Sequence, residues 1–239
     1  MRAELVPTYY RAFSASREGA VRGPATWWPQ GSHITHLAAR THGFQCAASE
    51  PGEVLAGGRW PCRLFVVEPC GEVLTVNSVL HIDACTRWRI LAEVPAWQAL
   101  GPNGQDVAAL LDQARALTFE QAEQIADTSR ALRRAREEEM GPGDGELSVY
   151  GAELLEAIMS ARDAAITLTR HGALHAAHDA AWAAVTAAAV AADVTVHTRH
   201  IWLLARSATM DAARALVVAD LLPSETLTAL TSEWTAVVG

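Results

Sequence analysis

Gly141-Pro-Gly-Asp-Gly145 splits this 239-residue chain into two parts of different character, and the fold class follows from what stands on either side. Three glycines and a proline in five positions interrupt any regular element. Beyond them, residues 146–239 are alanine-rich and carry apolar or small side chains at alternating spacings of four and three, the pattern of a helix with one packed stripe. One seam runs through Leu154, Ile158, Ala161, Ala165 and Leu168, and a second through Trp182, Val185, Ala189, Ala192 and Val196. A third runs through Ile201, Ala205, Ala208, Ala212, Ala215, Ala219 and Leu222. Pro223-Ser224 opens a last helix toward Trp234, with Ser224 expected at the N-cap. This predicts an all-α region, a helical bundle or coiled-coil-like. Alanine buries little area, so such a bundle gains less per residue than a leucine-rich one and profits from further contacts.

Just upstream, Gln105–Leu117 has a helical pattern with Val107, Leu110, Leu111 and Ala114 on one face. Thr118-Phe-Glu-Gln121 then reads as a capping box opening a second helix through Glu139. Its last turns, Arg130-Ala-Leu-Arg-Arg-Ala-Arg-Glu-Glu-Glu139, offer intrahelical pairs such as Arg133 with Glu137 and Arg134 with Glu138, each contributing a few tenths of a kcal/mol.

Ahead of residue 95 the pattern changes. Leu5–Phe13, Arg63–Glu68, Glu72–Val76 and Arg87–Val94 read as short strands, and Pro69-Cys-Gly71 suggests a hairpin or bulge between two of them. His33–Thr41 is the expected short helix, and Gly101-Pro-Asn-Gly104 marks the exit. Trp27-Trp28-Pro29 and Trp60-Pro61 read as aromatics packed over the edge of a small sheet. The expected class is α+β: a small mixed or antiparallel-sheet domain over 1–100, a helical connector over 101–145 ending in the glycine-rich hinge, and the all-α region over 146–239.

Composition removes whole mechanisms. All nineteen basic residues are arginine, which excludes a Schiff-base lysine, a P-loop lysine and a kinase ATP lysine. Residues 1–100 hold nine arginines against eight acids, and residues 101–239 hold ten against nineteen, so the second half is strongly acidic and argues against direct nucleic-acid binding. No run reaches the length of a membrane span and the start lacks a signal-peptide core, giving a cytoplasmic expectation. Cys46, Cys62, Cys70 and Cys85 have no Cys-x-x-Cys spacing and read as reduced core thiols.

Gly43-Phe-Gln-Cys46, Pro51, Val54, Arg63-Leu-Phe-Val-Val-Glu68 and Gly71-Glu-Val73 together resemble a family of uncharacterised phage- and plasmid-encoded proteins over residues 8–95. That family shows Gly-Phe-His-Ala-Cys at the first motif, where this chain has Gln45. The tail segments Ala176–Trp182, Leu216–Leu222 and Leu230–Trp234 are similar to tails of actinobacterial phage proteins with repeated Asp-Ala-Ala-Trp units. The resemblance implies a phage or mobile-element origin and no particular activity. A second resemblance is to ADP-ribosyltransferase-like folds, through the order Arg11, Gly-Phe turn, Glu72. It implies that Arg11 binds cofactor phosphates and that Glu72 stabilises an oxocarbenium charge.

His171, His175 and His178 would share one face of a continuous helix, the spacing of a metal site. Gly172 instead reads as a helix-ending glycine that separates His171 from the other two. No metal and no cofactor are expected, and no catalytic residues beyond the alternative pair Arg11 and Glu72. The expected function is protein–protein interaction by a non-enzymatic accessory protein, such as a modulator of an integrase or other DNA-transaction protein, or an anti-defence factor. Its partner would be a phage- or host-encoded protein or a second copy of the chain. The contact candidates are Arg130, Arg133, Arg134, Trp182, Trp202 and Trp234.

Overall fold

A computed structural model of the chain describes residues 8–14, 45–55, 60–77, 82–140, 152–168 and 170–238. Among these, an antiparallel sheet of six strands precedes six α-helices, an α+β fold. The strands are β1 (Tyr9–Ser14), β2 (Gln45–Ala48), β3 (Cys62–Pro69), β4 (Val73–Asn77), β5 (Ile82–Cys85) and β6 (Trp88–Val94). The helices are α1 (Gly104–Arg115), α2 (Phe119–Met140), α3 (Ala152–Thr167), α4 (His171–Ala191), α5 (Arg199–Val217) and α6 (Ser224–Val238), with 3-10 turns at Pro51–Glu53, Ala96–Leu100 and Ala219–Leu221.

The chain forms two compact units, Met1–Gln105 with Leu168–Ala176, and Asp106–Thr167 with Ala177–Gly239. These divisions differ from the segments 1–100, 101–145 and 146–239 expected from sequence. The segment Leu168–Ala176 belongs with the strands, because Glu53 binds the start of α4, while α2 of the expected connector packs against α5 and α6. The Gly141–Gly145 break, the expected helix His33–Thr41 and the pair Trp27-Trp28 lie outside the described residues.

In the first unit the strand order is β4-β5-β2-β1-β3-β6. Residues Thr86 and Arg87 alone join β5 to β6, which stand four places apart. In a flat sheet that separation is about 19 Å, whereas three Cα steps reach at most about 11 Å. The sheet must therefore curl so that its two ends approach. One face forms the inside of the curl, since Val73 of β4 and Trp88 of β6 pack on the same buried cluster of Tyr9, Ala47, Phe65 and Val67. The opposite face carries Leu64, Ala48 and Ile82, and the turns Pro51–Glu53 and Ala96–Leu100 pack together beside it, burying Leu55 and Leu100.

The expected hairpin at Pro69-Cys-Gly71 does not form. β3 already has β1 on one edge and β6 on the other, and Cys70 N–H continues the second ladder by donating to Arg87 C=O, so β4 pairs instead with β5. At the exit, Gly101 adopts φ 90°, a conformation that favours glycine. A Cβ on Gly104 would meet the Trp97 carbonyl oxygen at 1.9 Å, so backbone passes backbone there with no room for a side chain.

The second unit opens on α1, which buries Val107, Leu110, Leu111 and Ala114 as its stripe predicts. At the start of α2 the capping box is complete: Gln121 N–H donates to Thr118 Oγ1 at 3.2 Å and Thr118 N–H donates to Gln121 Oε1 at 3.0 Å. α2, α5 and α6 pack on one another, with Ile201, Ala205, Ala208, Ala212 and Ala215 of the third seam buried. The second seam is largely out of phase: of its members Val185 is buried, but α4 otherwise buries Ala177, Ala180, Ala184 and Ala188 in this unit, while Trp182, Ala192 and Val196 are exposed. In the first seam Ala161 and Ala165 are buried, but Leu168 is exposed. Ser224 is the first helical residue of α6 rather than its N-cap, because Pro223 C=O accepts the opening bond from Leu227 N–H. No helix among the described residues is long and apolar enough to cross a membrane.

Candidate functional site

Alternation along the strands sets the chemistry on the inner face of the sheet. Arg11 stands opposite Phe65 of β3, Ala47 stands opposite Asp83 of β5, and Tyr10 stands opposite Ala48, which puts Tyr9, Arg11, Ala47 and Asp83 on one face. Ala47 is small enough for Tyr9 to reach past it, and its Oη donates to Asp83 Oδ2 at 2.9 Å. Burial, then the hydrogen bond and charge of Asp83, push the Tyr9 phenol up to about 12. Burial lowers the Arg11 guanidinium, with Cys46 acting the other way. The ring of Trp88 meets Tyr9 edge-on at 5.0 Å.

The acids that share a face with Arg11 are thus Asp83 and, opposite Phe65 and paired with Arg63, Glu93, not Glu72. Glu72 is exposed just before β4, the first strand in the order, while Arg11 lies on the fourth. Asp83 escaped the sequence reading because Ile82-Asp-Ala-Cys85 is short and shows no clean alternation.

The thiols are all free: Cys62 and Cys85 are buried, Cys46 is half-buried, and Cys70 is exposed rather than in the core. Burial pushes Cys62 up to about 12 and raises Cys46. Such thiols stay protonated and are poor nucleophiles at neutral pH.

His171, His175 and His178 do lie on one helix, α4, which corrects the reading of Gly172 as a stop. The helix starts there because the fully buried Glu53 carboxylate caps it, accepting from His171 N–H at 2.9 Å and Gly172 N–H at 3.2 Å. The rings of His171 and His175 meet edge-on at 4.4 Å, and His178 pairs with Asp179. Among the described residues no group of three metal-type side chains converges.

The expected contact residues separate into two kinds. Trp202 and Trp234 are 5% and 4% exposed and belong to the core of the second unit, so neither can be a surface anchor; Trp202 packs against Phe119 at 6.4 Å. Trp182 is 45% exposed, and the Arg206 guanidinium lies over its ring at 3.5 Å. Trp182, Thr186 and Val190 follow one another by single turns along α4, and Arg199, Leu203, Arg206 and Met210 form one stripe of α5. Leu203, one turn before Arg206 on α5, and Val190, two turns beyond Trp182 on α4, are exposed, and so is Asp179, one turn before Trp182. On α2, Arg130 is committed within its own helix, to Asp127 at 3.1 Å and to Ala126 C=O, and Arg134 is exposed. The side chains of Arg133, Glu137 and Glu138, and so the pairs expected of them, lie outside those described.

The chain matches no known family, no curated protein and no solved structure.

Proposed function

We propose that the chain is a non-enzymatic accessory protein that docks another protein through its second unit. The setting is that of a phage or mobile element, as modulator of an integrase or other DNA-transaction protein or as an anti-defence factor. The observation that carries this reading is Trp182, a large exposed aromatic beneath Arg206, with Val190 exposed two turns along its own helix and Leu203 exposed one turn from Arg206. Binding energy concentrates in tryptophan and arginine at the centre of an interface. The stacked guanidinium restricts the indole before a partner arrives, which lowers the entropy cost of association.

A photo-crosslinking residue placed at Leu203 of the full chain, expressed in the native host, tests this directly. A discrete protein adduct that disappears when Trp182→Ala is added is the expected result. Adducts from a crosslinker at Ile90 on the sheet, with none from Leu203, would move the function to the first unit.

A further inference from the structure

We infer that the docked partner presents an acidic amphipathic segment, carboxylates beside bulky apolar side chains, to the surface around Trp182 and Arg206. This rests on the docking reading above and specifies its partner.

The charge along α5 runs against that of its surroundings. Residues 101–239 carry nineteen acids against ten arginines, yet α5 from Arg199 to Met210 carries Arg199 and Arg206 and no acid, while on α4 the exposed Asp179 stands one turn before Trp182. Among the described residues neither arginine has an ion-pair partner. Both lie on the same stripe of α5, two turns apart, with Leu203 between them, so a segment laid along that stripe meets cation, apolar side chain and cation in turn.

The two cations also press on each other. Arg206 is lowered first by its burial against neighbours and then by the charge of Arg199. A carboxylate arriving at either arginine relieves that repulsion, and a lysine or arginine arriving there increases it. Arg199 stands in the first turn of α5, where no acidic residue offsets the positive end of the helix, which adds to the preference for negative charge. A neutral apolar segment would fill the space around Trp182 and leave both guanidinium groups facing it without compensation.

The test uses the full chain, immobilised, and a display library of random peptides, with the enriched sequences measured by fluorescence anisotropy. Enrichment of Asp and Glu beside Leu, Phe or Trp supports the inference. So does at least about tenfold weaker binding of those peptides to Arg199→Glu and Arg206→Glu, recovered when the peptide acids are changed to lysine. Neutral or basic peptides that lose affinity in Trp182→Ala would overturn the acidic partner and leave the docking surface standing. Peptides that bind Trp182→Ala and Leu203→Ala as well as wild type would overturn both. Sedimentation showing a dimer of the full chain that Trp182→Ala dissociates would replace the acidic partner by a second copy.

Discussion

Glu53 and His171, 118 positions apart in sequence, are joined by a 2.9 Å hydrogen bond from the His171 backbone N–H to the Glu53 carboxylate. With the second bond from Gly172, a fully buried carboxyl group meets the positive end of α4 and accepts from two of its otherwise unpaired donors. Glu53→Ala leaves those donors without an acceptor inside the first unit. We expect a loss of about 2–3 kcal/mol in denaturant unfolding. A midpoint unchanged from wild type would show that the cap contributes nothing.

The three tryptophans of the helical unit should differ in how much their removal costs. Trp202→Ala or Trp234→Ala opens a cavity in a closely packed core and should cost about 3–5 kcal/mol. Trp182→Ala removes only an exposed ring and its cation–π contact, about 0.5–1 kcal/mol, and should leave thermal unfolding close to wild type. Calorimetry of the three variants checks the order.

Tyr9 should titrate late. Its neutral phenol is the form that folding favours, so that contribution to stability is complete below the ordinary value of 10.0 and is lost as the pH rises through about 12. Tyrosinate absorbance should show one late-ionising phenol that is missing in Tyr9→Phe. Asp83→Asn should bring it down only part of the way, because burial is the larger cause. Full return to the ordinary value would reverse that order.

Gly104→Ala places a methyl group against the Trp97 carbonyl, so the turn entering α1 must shift. Overpacking of this kind costs about 1–3 kcal/mol. Gly71→Ala, whose nearest neighbours would be the side chains of Thr86 and Cys85 at 3.2 and 3.7 Å, is the milder comparison.

What the sequence disclosed depended on how far apart the determining residues stand. The Thr118–Gln121 box and the stripe of α1 are written within a few positions, and both are present as read. β2 and β5 were missed because Gln45-Cys-Ala-Ala48 and Ile82-Asp-Ala-Cys85 are four residues each, and their strand character comes from neighbours β1 and β4 rather than from their own pattern. In α4, alanine at nearly every position leaves the helix without a marked face. The large Trp182 suggested a phase that the packing of Ala180, Ala184 and Ala188 overrules. The start of α4 at His171 was illegible locally, since its cap comes from Glu53. Of the candidate site, Trp182 was named from sequence, whereas its companion Arg206 was not. A search for arginines one helix away from each exposed aromatic would have raised it.

Because residues Leu168–Ala176 complete the first unit, that unit is made in two instalments on the ribosome. At about 5–20 residues per second, Ala176 emerges roughly 4–14 s after Gln105. Until then Glu53 has no helix to cap, and the chain must carry that carboxylate hydrated while the residues of the second unit up to Thr167 are already being synthesised. Synthesis of the two units is therefore interleaved: the first is finished by a segment that follows α3, after one part of the second unit has been made and before the rest of it.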